Sequence, residues 1–251
     1  MQGVLYIGHG SRSPKTKEES IQFIQQVEAR VEAPLQELCF LELESPTIRD
    51  GFTKLVENGA TSIAIVPLLL LSAGHYYADI PEELEHVREE FPDIRVTYGR
   101  PLGVQQRTVE ALARRAEEAG AITKNTVVLL VGRGSRSPET KSAVRLTAKK
   151  LKRRLGVRKV ETCYLAACKP SFAEGMENAA KYDDVIVLPY LWFTGLLYES
   201  MEREVAASPF RLAPYLGAHL LMIEVLSERA GQALHAETIE NRLDEHMAWW
   251  I

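Results

Sequence analysis

Three polar residues stand where an alternating strand-and-helix chain does its chemistry: His9, Glu42 and His75. Each comes at the end of an apolar run that reads as a strand, over residues 4–7, 34–43 and 61–71. Two imidazoles and one carboxylate suit Fe(II), Co(II) or Ni(II) with coordination positions left open. Whichever of the three does not hold a metal can accept a proton instead. Their wide separation is unlike the dense Cys/His spacing of a closed structural metal site.

An internal repeat supplies a control for these residues. Gly8-His9-Gly10-Ser11-Arg12-Ser13-Pro14-Lys15-Thr16-Lys17 returns as Gly132-Arg133-Gly134-Ser135-Arg136-Ser137-Pro138-Glu139-Thr140-Lys141, an offset of 124 residues. Only His9/Arg133 and Lys15/Glu139 differ between the copies. At the same offset Cys39-Phe40-Leu41-Glu42 meets Cys163-Tyr164-Leu165-Ala166. With Pro67 set on Pro189, His75 falls on Leu197. All three polar residues are therefore missing from the second copy, while the flanking glycines and prolines remain. Residues needed for the fold would persist in both copies, so the loss of all three together marks one site kept in the first.

The elements that must position them follow from the pattern. Ser13 as N-cap and Pro14 at the first helical position open a helix. Pro46 is expected to open a second helix, and a Ser-Ala-Gly-His-Tyr-Tyr loop (72–77) to precede a third that starts at Pro81. A strand over residues 94–98 and a helix over 104–118 complete the half. The second half repeats the order with strands over 126–131, 159–165, 185–190 and 210–215. Strands alternating with helices predict an α/β fold of two similar doubly wound parallel-sheet domains, over residues 1–122 and 123–251. The polar tail after His235 reads as helical, with Trp249-Trp250-Ile251 packing on a neighbouring surface. In such sheets ligands sit beyond the carboxyl ends of the strands, at a switch point. The site is expected in a cleft between the halves, with Arg133 and Arg136 facing the first copy's residues.

The glycine-rich loops each join a strand to a helix N-terminus, where unpaired N–H groups and the dipole favour anions. Arg12, Arg133 and Arg136 add fixed positive charge there. Elsewhere composition excludes more than it assigns. A net charge of −4 over 251 residues gives no electrostatic footprint for nucleic acid. The longest apolar runs are too short to span a bilayer, and no signal-peptide pattern is seen, so a cytoplasmic location is expected. Three cysteines, Cys39, Cys163 and Cys168, form no disulfide framework and no paired metal motif.

Residues 7–12, 40–48, 66–75 and 79–83, with Gly132-Arg133-Gly134-Ser135 and the run 189–195, resemble the class II chelatases of modified-tetrapyrrole synthesis. The resemblance covers the chain to about His235 and implies insertion of Fe(II) into sirohydrochlorin to give sirohaem, without ATP. It implies His9, Glu42 and His75 as catalytic and metal-binding groups. Arg12, Ser45, Leu71, Ser72, Ala73, Gly74, Arg133 and Arg136 are then the candidate substrate contacts. Fe(II) is expected as a substrate metal rather than a resident cofactor, with Co(II) or Ni(II) also admitted. Insertion of Co(II) on the cobalamin route and a metal or tetrapyrrole carrier without turnover stay open as alternatives. Sirohydrochlorin and the metal are the only partners expected, without nucleic acid or membrane. A monomer is expected, because the repeat already supplies a second half.

Overall fold

In a computed structural model the described residues are 1–72 and 74–236. Ala73 and the tail with Trp249, Trp250 and Ile251 lie outside them. The first half runs β1 (Gln2–Gly8), α1 (Pro14–Glu28), β2 (Leu35–Phe40), α2 (Ile48–Glu57), β3 (Ser62–Pro67), a π-helical turn (His75–Asp79), α3 (Ile80–Glu90), β4 (Arg95–Tyr98) and α4 (Gln106–Glu118). The second runs β5 (Val127–Gly132), α5 (Pro138–Leu155), β6 (Lys159–Tyr164), α6 (Phe172–Ala179), β7 (Val185–Tyr190), α7 (Leu196–Ala206), β8 (Arg211–Leu212) and α8 (Leu220–Leu234).

Each half builds one four-stranded sheet, ordered β2-β1-β3-β4 and β6-β5-β7-β8, with every pairing parallel. Residues alternate across the strands, and both faces are covered, as parallel sheets require. In the first sheet Leu5, Ile7, Ile63 and Ile65 join Phe52 and Leu55 of α2 and Leu84 and Val87 of α3 in one core. Val4, Tyr6, Ala64 and Val66 on the other face are equally buried. Leu129, Val131, Val185 and Val187 do the same with Phe172 and Met201 in the second sheet. Cys39 and Cys163 are buried core residues, and burial raises both thiol pKa values, that of Cys163 to about 12.

Several element boundaries differ from the sequence reading: the strands expected over 34–43, 61–71 and 210–215 are limited to β2, β3 and the two-residue β8, and the second and third helices open elsewhere than expected. Pro46 does not open α2. Thr47 is the N-cap, its Oγ1 accepting from Asp50 N–H at 3.2 Å while Asp50 Oδ2 accepts from Thr47 N–H at 2.9 Å. His75 is not in a loop, because the chain is already helical there and the Ile80 N–H reaches back to the His75 carbonyl, an i→i+5 bond.

Among the described residues, chain contacts define two compact units: 1–12, 20–102 and 224–236 in one; Ser13–Glu19 and Gly103–Ile223 in the other. These units do not follow the repeat boundary at 122/123. α4 belongs to the second unit, packed on α5 and β7. Most of α8 belongs to the first, where Thr97 Oγ1 donates to the Ala233 carbonyl at 2.7 Å. Among the described residues no helix is long and apolar enough to cross a membrane.

Candidate metal-handling site

The strand order explains why three residues distant in sequence meet. β1 lies between β2 and β3, with Ile7 level with Cys39 on one side and Pro67 on the other. The chain leaves β1 for β2 on one side and returns past it to β3, so the switch point lies at the carboxyl end of β1. Backbone bonds continue beyond the strand ends: Leu41 N–H to the Gly8 carbonyl (2.9 Å), Glu42 N–H to the His9 carbonyl (3.1 Å) and Leu68 N–H to the Ile7 carbonyl (2.8 Å). His9 and Glu42 are thereby held as neighbours in the main chain.

Gly10 makes this approach possible. Its φ of +92° favours glycine, and a Cβ there would collide with the Glu42 carbonyl oxygen. The repeat reproduces the arrangement without its chemistry. Gly134 has φ +90°, its Cβ would meet the Ala166 carbonyl oxygen, and Ala166 N–H bonds the Arg133 carbonyl at 2.9 Å. Leu43 and Ala167 share a left-handed backbone, with φ of 65° and 55°. Ser171 and Glu174 repeat the capping box of Thr47 and Asp50. One backbone therefore serves both copies, and only the first carries an imidazole and a carboxylate on it.

The side chains of His9 and His75, and of His9 and Glu42, are neighbours. His9 and His75 have ring centroids 4.5 Å apart, tilted by 37°. His9 Nδ1 lies 3.3 Å from Glu42 Oε1, and His75 Nδ1 lies 2.6 Å from Asp79 Oδ2. The histidine side chains are 31% and 32% exposed, so the pair is reachable from solvent while its backbone is fixed. Among the described residues no group of three or more His, Cys, Asp or Glu forms a ready metal cage. Glu42 instead addresses the Nδ1 edge of His9.

The turn carrying His75 is anchored from below. Tyr98 Oη donates to the Tyr76 carbonyl at 2.9 Å, and the two rings stack at 4.8 Å. Burial holds the Tyr98 hydroxyl well above the ordinary tyrosine range, so it stays a donor at neutral pH. Leu71 and Ser72 are half-buried between β3 and this turn. Gly74 has an α-helical φ of −46°, and a Cβ there would meet nothing within 4 Å. Neither conformation nor crowding demands glycine, which leaves open surface beside His75. Arg12 and Ser45 are exposed on loops of the first unit; Arg133 and Arg136 are exposed on the β5–α5 loop of the second. Leu196 and Leu197, at the His75 position of the repeat, are exposed apolar residues at the start of α7. Asp79 was not among the residues singled out for chemistry, although its i,i+4 spacing from His75 is visible in the sequence.

Two parallel α/β sheets with paired histidines beyond the carboxyl end of one define a chelatase-type α/β protein. The chain matches CbiX over residues 3–119 and 127–233, and it belongs to that family. It is 43% identical over 245 residues to the sirohydrochlorin ferrochelatase of Priestia megaterium, covering 94% of this chain and 92% of that one. SirB from Bacillus subtilis with Fe3+ superposes with a TM-score of 0.87 at 38% identity, over 93% of this chain and 96% of that one. The sirohydrochlorin chelatase SirB from Bacillus subtilis subspecies spizizenii in complex with cobalt gives a TM-score of 0.82, also at 38% identity, over 93% and 95% of the two chains.

Proposed function

We propose that this protein is a sirohydrochlorin ferrochelatase, a lyase-class metal chelatase that places Fe(II) in sirohydrochlorin to form sirohaem without ATP. The observation that carries the reading is the His9–His75 pair at 4.5 Å, with Glu42 beside His9, in one copy of a duplicated fold. Relatives of this name and fold span nearly the whole chain.

His9 and His75 hold the incoming ion, with Glu42 completing the donor set or supporting His9 from its Nδ1 side. Metal insertion replaces two pyrrole N–H protons, and these must leave the macrocycle. As the ion moves into the ring, its bonds to the two imidazoles break and each freed nitrogen becomes a base that takes one of the two protons. Glu42, 3.3 Å from His9, stabilises the imidazolium so formed. Leu71, Ser72 and Gly74 line the adjoining wall, with Ala73 assigned to the same wall from sequence alone. Ser45, Arg12, Arg133 and Arg136 offer donors and positive charge to the carboxylates of the macrocycle. The protein acts as a cytoplasmic monomer.

Iron is not selected by binding strength, since divalent affinities rise from Fe(II) to Co(II) to Ni(II) for one donor set. Both Fe(II) and Co(II) are therefore inserted, and the supply of metal fixes the product. The test is anaerobic turnover with sirohydrochlorin and each metal, followed by the absorbance of the macrocycle. Cobalt turnover without iron turnover would move the protein to the cobalamin route. A halt at one equivalent per chain would make it a carrier.

A further inference from the structure

We infer that Asp79 is a positioning residue for His75, fixing which ring nitrogen meets the metal. The inference rests on His75 being a metal ligand, as proposed above. Asp79 Oδ2 lies 2.6 Å from His75 Nδ1, one turn later on the same helical segment. A carboxylate at that distance holds the proton on Nδ1, so the metal is met through Nε2. Ligating histidines commonly donate their other N–H to a carboxylate, which sets the tautomer and raises the basicity of the coordinating nitrogen.

The geometry of the turn makes the pairing specific. The i→i+5 bond from Ile80 N–H to the His75 carbonyl widens the helix at this point. Ile80 is 1% exposed and belongs to the core, and Tyr76 is pinned by Tyr98 through a hydrogen bond and a stacked ring. Both ends of the His75–Asp79 segment are thus fixed by buried neighbours, while the two polar side chains project outward. The His9 ring lies beside that of His75, with centroids 4.5 Å apart. With Glu42 at His9 Nδ1 and Asp79 at His75 Nδ1, each imidazole has a carboxylate on the same edge. In the second copy the His75 position is Leu197, and the residue four places on is Met201, buried in the core. Ligand and supporting carboxylate are therefore both absent from that copy.

The test uses the full chain with Co(II) alone as probe, titrated by the visible absorption of the bound ion, alongside turnover. Asp79→Ala is expected to weaken Co(II) binding about 10- to 100-fold with an unchanged thermal midpoint. Asp79→Asn, which keeps an acceptor for Nδ1–H, is expected to recover part of that loss. Wild-type affinity in Asp79→Ala would overturn the inference. If Asp79→Ala does not fold, ¹⁵N imidazole NMR of the wild-type chain decides: the Nδ1–H tautomer of His75 supports the inference, and the Nε2–H tautomer overturns it. His75→Ala separates the two readings. Loss of Co(II) binding in His75→Ala, with full binding in Asp79→Ala, sinks only the positioning role. Full binding in His75→Ala sinks the ligand assignment itself.

Discussion

The imidazoles of His9 and His75 face each other with centroids 4.5 Å apart, although 66 residues and a crossover past β1 separate them in the chain. Neither ring belongs to the hydrophobic core, and both project from backbone that the core holds rigid. That division between a fixed main chain and accessible side chains sets what substitution should do.

Truncating either ring removes chemistry and leaves packing alone. His9→Ala and His75→Ala should each lower chelation at least ~10²-fold. Their thermal midpoints should move less than about 3 °C, because these partly exposed side chains stand outside the core. Glu42→Gln should cost more turnover than Glu44→Gln, since Glu42 is the carboxylate paired with His9. Steady-state rates and melting curves on the four variants check this, and equal losses at Glu42 and Glu44 would contradict the pairing.

The two loop glycines separate stability from activity. Gly10→Ala and Gly134→Ala each force a Cβ into a carbonyl oxygen at positive φ. Each should lose at least about 2 kcal/mol, or roughly 4–8 °C in melting midpoint. Only the Gly10 substitution displaces the Glu42 backbone beside His9. At a temperature where both variants are folded, Gly10→Ala should be the markedly slower enzyme.

Charge on the exposed loops should be read by a polyanionic substrate. Sirohydrochlorin carries eight carboxylates, so Arg12→Ala, Arg133→Ala and Arg136→Ala should raise KM with a smaller effect on kcat. Added salt should raise the wild-type KM through screening. A KM independent of ionic strength would exclude these arginines as substrate contacts.

Acid stability should report the second capping box. Glu174 is lowered to about 2, first by the hydrogen bond from Lys169, then by the Ser171 N–H and hydroxyl. A carboxylate lowered in the folded state binds its proton more readily when unfolded, so its stabilisation is present above the ordinary value of 4.5. It disappears as pH falls toward about 2. Glu174→Gln should therefore melt earlier than wild type at neutral pH, with the gap closing between pH 4.5 and 2. A constant gap across that window would remove the carboxylate from the account. Asp50 is lowered in the same direction by the Thr47 N–H and hydroxyl.

Local chemistry in the sequence determined much of this protein. The repeat, the apolar strands, Pro14 at the start of α1 and the loss of His9, Glu42 and His75 from the second copy all follow from residue type and spacing. Comparing the copies also separates backbone from function, because Gly10 and Gly134 keep one conformation while the side chains around them change. Only tertiary structure decided the order β2-β1-β3-β4, which places the ends of three strands together. Parallel pairing is fixed by long-range hydrogen bonds and packing, and an apolar run carries no local mark of its neighbour. The same holds for α4 and α8, whose places depend on what their buried faces touch. The direction of Glu42 toward His9 Nδ1, and of Asp79 toward His75 Nδ1, follows from backbone geometry at the strand ends and from one widened helical turn. Spacing brings such residues within reach of each other; the fold decides which atom faces which.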